Sequence, residues 1–312
     1  YIDGPLPLRL AYSVYGLLRF WPLRRQYDLV HLHTAERGST LRKSLYLWGA
    51  KRAGKRVIVH IHGAEYLPFY DGLGPAGKRL VSGFLHRADL VLALSDSWRA
   101  ELEARFPGAV CGTLYNGVEL PPFSAGDPAA RRRSFLMLGR LGERKGTYDL
   151  IEAMALAVRQ DPALTLCLAG DGQVEQARAL VARMGLEKNI DVPGWIGEEE
   201  KRRRLEQAAV VVLPSYHEGL PLSLLEGMAA GKAILSTTAG AIPEAVTGEN
   251  GILVAPGDVP GLAEGMLRLS GDVALLRRMS QRSRARAEAL FSLSMMHSRL
   301  AEYYRRTLSE EG

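Results

Sequence analysis

The 312-residue chain is long enough for two domains of ordinary size, and with 47% hydrophobic and 24% charged residues it is neither a disordered nor a fibrous sequence. Forty Lys and Arg against 34 Asp and Glu leave a formal charge of +6, which favours anionic partners without choosing among nucleotides, phospholipid surfaces and nucleic acid. No apolar run reaches the ~18 residues of a membrane span and no signal peptide opens the chain, while the two distant cysteines, Cys111 and Cys167, suggest neither a disulfide framework nor a zinc site; a reducing cytoplasm is the expected setting.

The first 27 residues read as a helix in which Tyr12, Tyr15, Phe20 and Trp21 interleave with Arg9, Arg19, Arg24 and Arg25 against one acid, Asp3. Such a helix either docks peripherally on the inner face of the cytoplasmic membrane or packs its Leu and aromatic side on a sheet. Strand-like runs follow at 29–33, 56–61, 90–94 and 110–114, with helical stretches at 40–53 and 98–105 between them. The Pro- and Gly-containing stretch 121–128 breaks this pattern and reads as a linker. Beyond it strands are expected at 135–138, 164–169, 190–192, 210–213, 233–236 and 251–254, and helices at 148–160, 174–184, 198–208, 222–230 and 259–269. The alternation of strand and helix, with strands apolar nearly throughout, predicts doubly wound parallel sheets covered on both faces. The domains are placed at 1–125 and 130–290, with a terminal helix over 291–312 crossing back to the first domain.

In such sheets ligands bind beyond the carboxyl ends of the strands, and the loops there are rich in candidate groups. Gly139 and Arg140 open a loop that ends with Lys145 and Gly146, two cations able to neutralise a diphosphate. Ser215 to Glu226 starts in a loop with Glu218, Gly219 and Leu220 and enters a helix near Pro221, whose fixed φ suits a first helical turn, and the first N–H groups there, near Leu222, suit a phosphate. Glu218 and Glu226, eight residues apart, can each accept hydrogen bonds from sugar hydroxyls; taken alone, the pair reads more readily as a helix cap and a surface ion pair. Gly170-Asp171-Gly172 begins like a dinucleotide fingerprint, but Glu175 occupies the third glycine position, which disfavours NAD.

Gly139-Arg140-Leu141 with Lys145-Gly146, Gly170-Asp171-Gly172, Val192-Pro193-Gly194-Trp195, the segment Pro214 to Met228 and Gly240 to Glu244 occur here in the order they take in the retaining glycosyltransferases of family 4, the group 1 family, which the second domain resembles. The resemblance implies an α/β GT-B fold: two Rossmann-like, doubly wound domains facing a central cleft. It assigns Arg140 and Lys145 to the donor diphosphate, Glu218 to the donor sugar, Glu226 to the ribose, the backbone of Leu220 to Leu222 to phosphate, and Gly194, Trp195 and Ile196 to the border of the nucleobase, with Gly139, Gly170, Asp171, Gly219 and Pro221 beside them. In the first domain His62 before Gly63 matches the family's cleft histidine, a candidate for the chemistry together with Arg140, Lys145 and Glu218. His31 and His60 read as satisfied core histidines, and Ser95 and Asn116-Gly117 resemble later first-domain landmarks. The family's opening strand and Gly-rich loop have no counterpart before Asp28, so the first domain reads as lacking them, and Leu293 stands where an aromatic residue is commoner.

The implied activity is transfer of a hexose, with retention, from a nucleotide diphosphate sugar, uridine diphosphate being the expected nucleotide, to a glycan or lipid-linked glycan in polysaccharide or cell-surface glycan biosynthesis. No cofactor beyond that donor is expected, and no metal, in line with the absence of an Asp-x-Asp pair. The alternatives are another GT-B sugar-nucleotide enzyme, an epimerase or hydrolase, and a catalytically silent sugar-nucleotide-binding subunit. A nucleic-acid partner is disfavoured by the small charge excess and the lack of a recognised module.

Overall fold

The computed structural model describes residues 6–122 and 127–309. The chain forms two units, one running up to Leu114 and resuming at His297, the other Tyr115–Met296. The division falls ahead of the proline-rich stretch in which the sequence places it. Val118 explains the difference: its N–H donates to Phe291 and its carbonyl accepts from Leu293, so the chain is already tied into the C-terminal unit. Residues 123–126 of the expected linker lie outside the described residues, as does Asp3.

In the N-terminal unit, α1 (Leu6–Leu23) precedes β1 (Leu29–Thr34), α2 (Gly38–Arg52), β2 (Arg56–Ile61), α3 (Tyr66–Asp71), α4 (Pro75–His86), β3 (Leu90–Ala93), α5 (Asp96–Arg105) and β4 (Cys111–Thr113). The four strands are parallel, in the order β1-β2-β3-β4. Val57, Ile58 and Val59 are fully buried, as apolar strands covered on both faces should be. Ser95 caps α5 by accepting from the Trp98 N–H, which accounts for that landmark structurally. Instead of packing its aromatic side on the sheet, α1 lies against α2, with Trp21 stacked on Trp48 and Phe20 against Tyr46; Tyr12, Val14, Tyr15 and Leu18 stay exposed.

In the C-terminal unit come β5 (Ser134–Leu138), α6 (Thr147–Ala157), β6 (Thr165–Ala169), α7 (Val174–Arg183), β7 (Ile190–Gly194), α8 (Glu198–Gln207), β8 (Val210–Leu213), α9 (Leu222–Ala229), β9 (Ala233–Thr237), α10 (Ile242–Ala245), β10 (Gly251–Val254), α11 (Val259–Gly271) and α12 (Val273–Arg286). Its parallel sheet has the order β10-β9-β8-β5-β6-β7. The chain winds outward through β5, β6 and β7, crosses back with α8, and winds the other way through β8, β9 and β10. The order therefore reverses between β5 and β8, the place where such sheets leave a crevice. The last helix, α13 (Leu293–Ser309), starts in this unit; from His297 onward it belongs to the N-terminal one, where the Tyr303 hydroxyl accepts from the Thr113 N–H and donates to its carbonyl.

The helices α3, α4, α10 and α12 are absent from the sequence reading. Two are six residues or fewer, too short for a helical period to show. Both α4 and α12 carry polar residues among their apolar ones, and tertiary packing of Phe84, Leu85, Leu276 and Met279 settles them.

Candidate functional site

The loops that the sequence singles out follow β5 and β8, the two strands at the reversal. The β5 loop runs through Gly139 and Arg140 into a single 3₁₀ turn, Glu143–Lys145, before α6. The β8 loop runs from Pro214 to Pro221, where α9 begins. They press together at Gly146, which has φ 68° and would place a Cβ 2.0 Å from the Pro214 carbonyl oxygen, an approach only glycine allows. The Tyr216 N–H donates to the Arg144 carbonyl at 3.0 Å, and Arg144 Nη1 donates to the carbonyl of His217 at 3.1 Å.

This contact joins two of the sequence candidates directly: Lys145 Nζ donates to Glu218 Oε1 in an ion pair whose side chains are 15% and 7% exposed. Burial takes both charges out of water, so each depends on the other. On its far side the start of the loop that carries Glu218 is held by β9, whose Thr237 hydroxyl donates to the Ser215 carbonyl at 2.6 Å. Gly240, with φ 54°, lets the next turn approach so closely that a Cβ there would stand 1.9 Å from the Glu218 carbonyl oxygen. The loop that carries Glu218 is thus held on both sides, while its carboxylate is held by Lys145.

Glu226 has a different partner. One turn into α9, it accepts from Lys201 Nζ of α8 at 2.9 Å, and Lys201 also reaches Glu198 at 3.0 Å. The half-buried pair lines a cavity of about 770 Å³ between α8 and α9, bordered by Leu222, Glu198 and Lys232. Lys201 sits in the run Glu198-Glu-Glu-Lys-Arg-Arg-Arg and carries no local sign that sets it apart from its charged neighbours. Pro221 is the residue before the helix, with extended ψ of 121°, rather than part of its first turn, and Glu218 makes no cap bond. The opening N–H groups of α9, at Leu222 and Ser223, have no backbone acceptor among the described residues. Asn116, which the sequence assigns to the first domain, lies in the second; its Nδ2 donates to the Leu220 carbonyl at 2.9 Å and braces the turn into α9.

The remaining candidates line the same strand ends. Leu141 N–H donates to Asp171 and Gly170 N–H to Gly194, which links the loops after β5, β6 and β7. Arg140 and Asp171 project into solvent, Trp195 is 76% exposed and Ile196 is half-buried. Gly219 and Leu220 are buried beneath the loop.

His62 belongs to the N-terminal unit, just past the end of β2. Its Nε2 lies 2.7 Å from His33 Nδ1. His31 hydrogen-bonds the Tyr304 hydroxyl through Nδ1 at 2.8 Å. His60 differs from the sequence expectation of a satisfied core histidine: it is 5% exposed and neither ring nitrogen has a hydrogen-bond partner among the described residues. Burial, together with the neighbouring imidazoles, pushes His60 down to about 2 and His31 and His62 to about 4, so all three are neutral at neutral pH.

Residues 132–272 match the family described as Glycosyl transferases group 1, and residues 1–120 match Glycosyltransferase Family 4. The glycogen synthase of Mycobacterium tuberculosis is 30% identical over 72% of this chain and 55% of its own length. The alpha-D-kanosaminyltransferase of Streptomyces kanamyceticus is 27% identical over 97% of this chain and 85% of its own. The chain spans little more than half the length of the former. Among solved structures, Anabaena HepE in complex with UDP and glucose superposes with a TM-score of 0.78 at 20% identity, covering 93% of this chain and 81% of that one. The fold is therefore α/β with two parallel-sheet domains of the GT-B kind.

Proposed function

The chain belongs to the glycosyl transferases of group 1, and from that premise we propose that it moves a hexose, with retention, from a uridine diphosphate sugar to a hydroxyl of a glycan or lipid-linked glycan. The reading rests chiefly on the buried Lys145–Glu218 pair at the β5/β8 reversal. A diphosphate entering beside Arg140 and the open N–H groups of α9 competes for Lys145, and Glu218, released from its cation, turns to the sugar hydroxyls. Arg140 and Lys145 then stabilise the charge that grows as the nucleotide leaves. In this reading attack is front-face, the departing phosphate taking the acceptor's proton, with no covalent intermediate. Glu226 serves the ribose, and Gly194 to Ile196 border the base. The chemistry assigned to these groups is positioning and charge stabilisation without a metal.

Glu218→Ala is expected to retain UDP binding while lowering turnover at least about 100-fold, the usual consequence of removing one transition-state contact. Wild-type turnover surviving in that variant overturns the assignment. Donor supplied without acceptor distinguishes a hydrolase, which would release free sugar steadily. The exposed aromatic face of α1, beside Arg19, Arg24 and Arg25, supports peripheral docking on an anionic membrane at the cytoplasmic side.

A further inference from the structure

The N-terminal unit carries a histidine array of which only His62 is a candidate for the transfer chemistry. β1 presents His31 and His33 on one face, since side chains alternate along a strand, and β2 with the residue after it presents His60 and His62 on the same face. The register sets His33 opposite His60. Four imidazoles therefore form a two-by-two array, with ring centroids 4.4 Å apart between His31 and His33 and 4.1 Å between His60 and His62.

We infer that His31, His33 and His60 form a binding site for one divalent transition-metal ion of the zinc class. One ring nitrogen from each lies within 4.8 Å of the others, a spacing that small ring rotations close onto a single ion. Outer hydrogen bonds already select the ligating atoms. His31 Nδ1 is held by the Tyr304 hydroxyl, leaving its buried Nε2 without a partner, and His33 Nδ1 is held by His62, leaving Nε2 for the ion. This is how second-sphere groups orient metal-binding imidazoles. His60 is buried with both ring nitrogens unpartnered, a costly arrangement; coordination satisfies one of them. Three neutral nitrogen donors with no carboxylate suit zinc, copper, nickel or cobalt and not magnesium or calcium. His33 reaches solvent and borders a cavity of about 420 Å³ with His62, which supplies the entry path and room for a water as fourth ligand. The site lies wholly within the N-terminal unit, and of the transfer-site candidates only His62, the outer partner of His33, touches it.

The test is titration of the metal-free full chain with Zn²⁺ by calorimetry and with Co²⁺ by visible absorption. One ion per chain is expected, with the intense ligand-field bands of tetrahedral cobalt. His33→Asn, at a solvent-facing position that leaves the fold intact, and His60→Ala should each weaken Zn²⁺ binding by more than about 100-fold, and Tyr304→Phe by about 10-fold, the usual cost of an outer-sphere partner. His297→Gln should leave it unchanged. Absence of stoichiometric binding, binding that survives His33→Asn, or an equal loss in His297→Gln overturns the site.

Discussion

Among the described residues Lys145 and Glu218 pair with each other alone, in a setting where neither is well hydrated, so removing one strands the other. Lys145→Ala is expected to destabilise the C-terminal unit by about 3–5 kcal/mol in urea unfolding, whereas the double replacement Lys145→Met with Glu218→Leu should recover most of that loss. If the single and double variants unfold alike, the pair carries no coupling. A half-buried cation behaves differently. Lys232, beside Arg131 and with Glu206 nearby, is pushed by burial, and then by Arg131, down to about 8 from 10.5. Below pH 8 the folded protein must hold it charged; between about 8 and 10.5 the unfolded chain binds the proton that the folded one has released, so stability rises with pH through that window. The unfolding midpoint of the wild type should therefore gain on that of Lys232→Met between pH 8 and 10, and a constant difference between the two refutes the shift.

At the level of elements, the β8 loop is placed by glycines in its neighbours more than by its own residues. Gly240→Ala puts a methyl group into the Glu218 carbonyl at a backbone angle that side chains avoid. It is expected to lower stability by about 1–3 kcal/mol or more and to weaken donor use beyond what stability explains, measured as kcat/KM on the folded fraction. Gly248→Ala, which meets nothing within 4 Å, is the matched control. The strands were legible because both faces are buried and their runs are continuously apolar. The short helices α3 and α10 were not, since one turn and a half shows no period.

For the molecule as a whole, a donor nucleotide that binds only the folded C-terminal unit raises its apparent stability by about 2.7 kcal/mol at 100 times the dissociation constant. A thermal scan should show UDP shifting the transition and ADP shifting it less; no shift with any nucleoside diphosphate removes the donor assignment.

The residue types of the donor loops, their chain order and the parallel α/β class could be read from the chain alone, because loop chemistry and strand burial leave local patterns. Which candidates touch could not. Glu218 meets Lys145 across 73 residues and Glu226 meets Lys201 across 25. Two His-x-His pairs, 29 residues apart, become one array because a parallel register sets His33 against His60. Pairing of that kind is decided by strand order and register, and these depend on how distant segments bury one another, which no local stretch of sequence encodes.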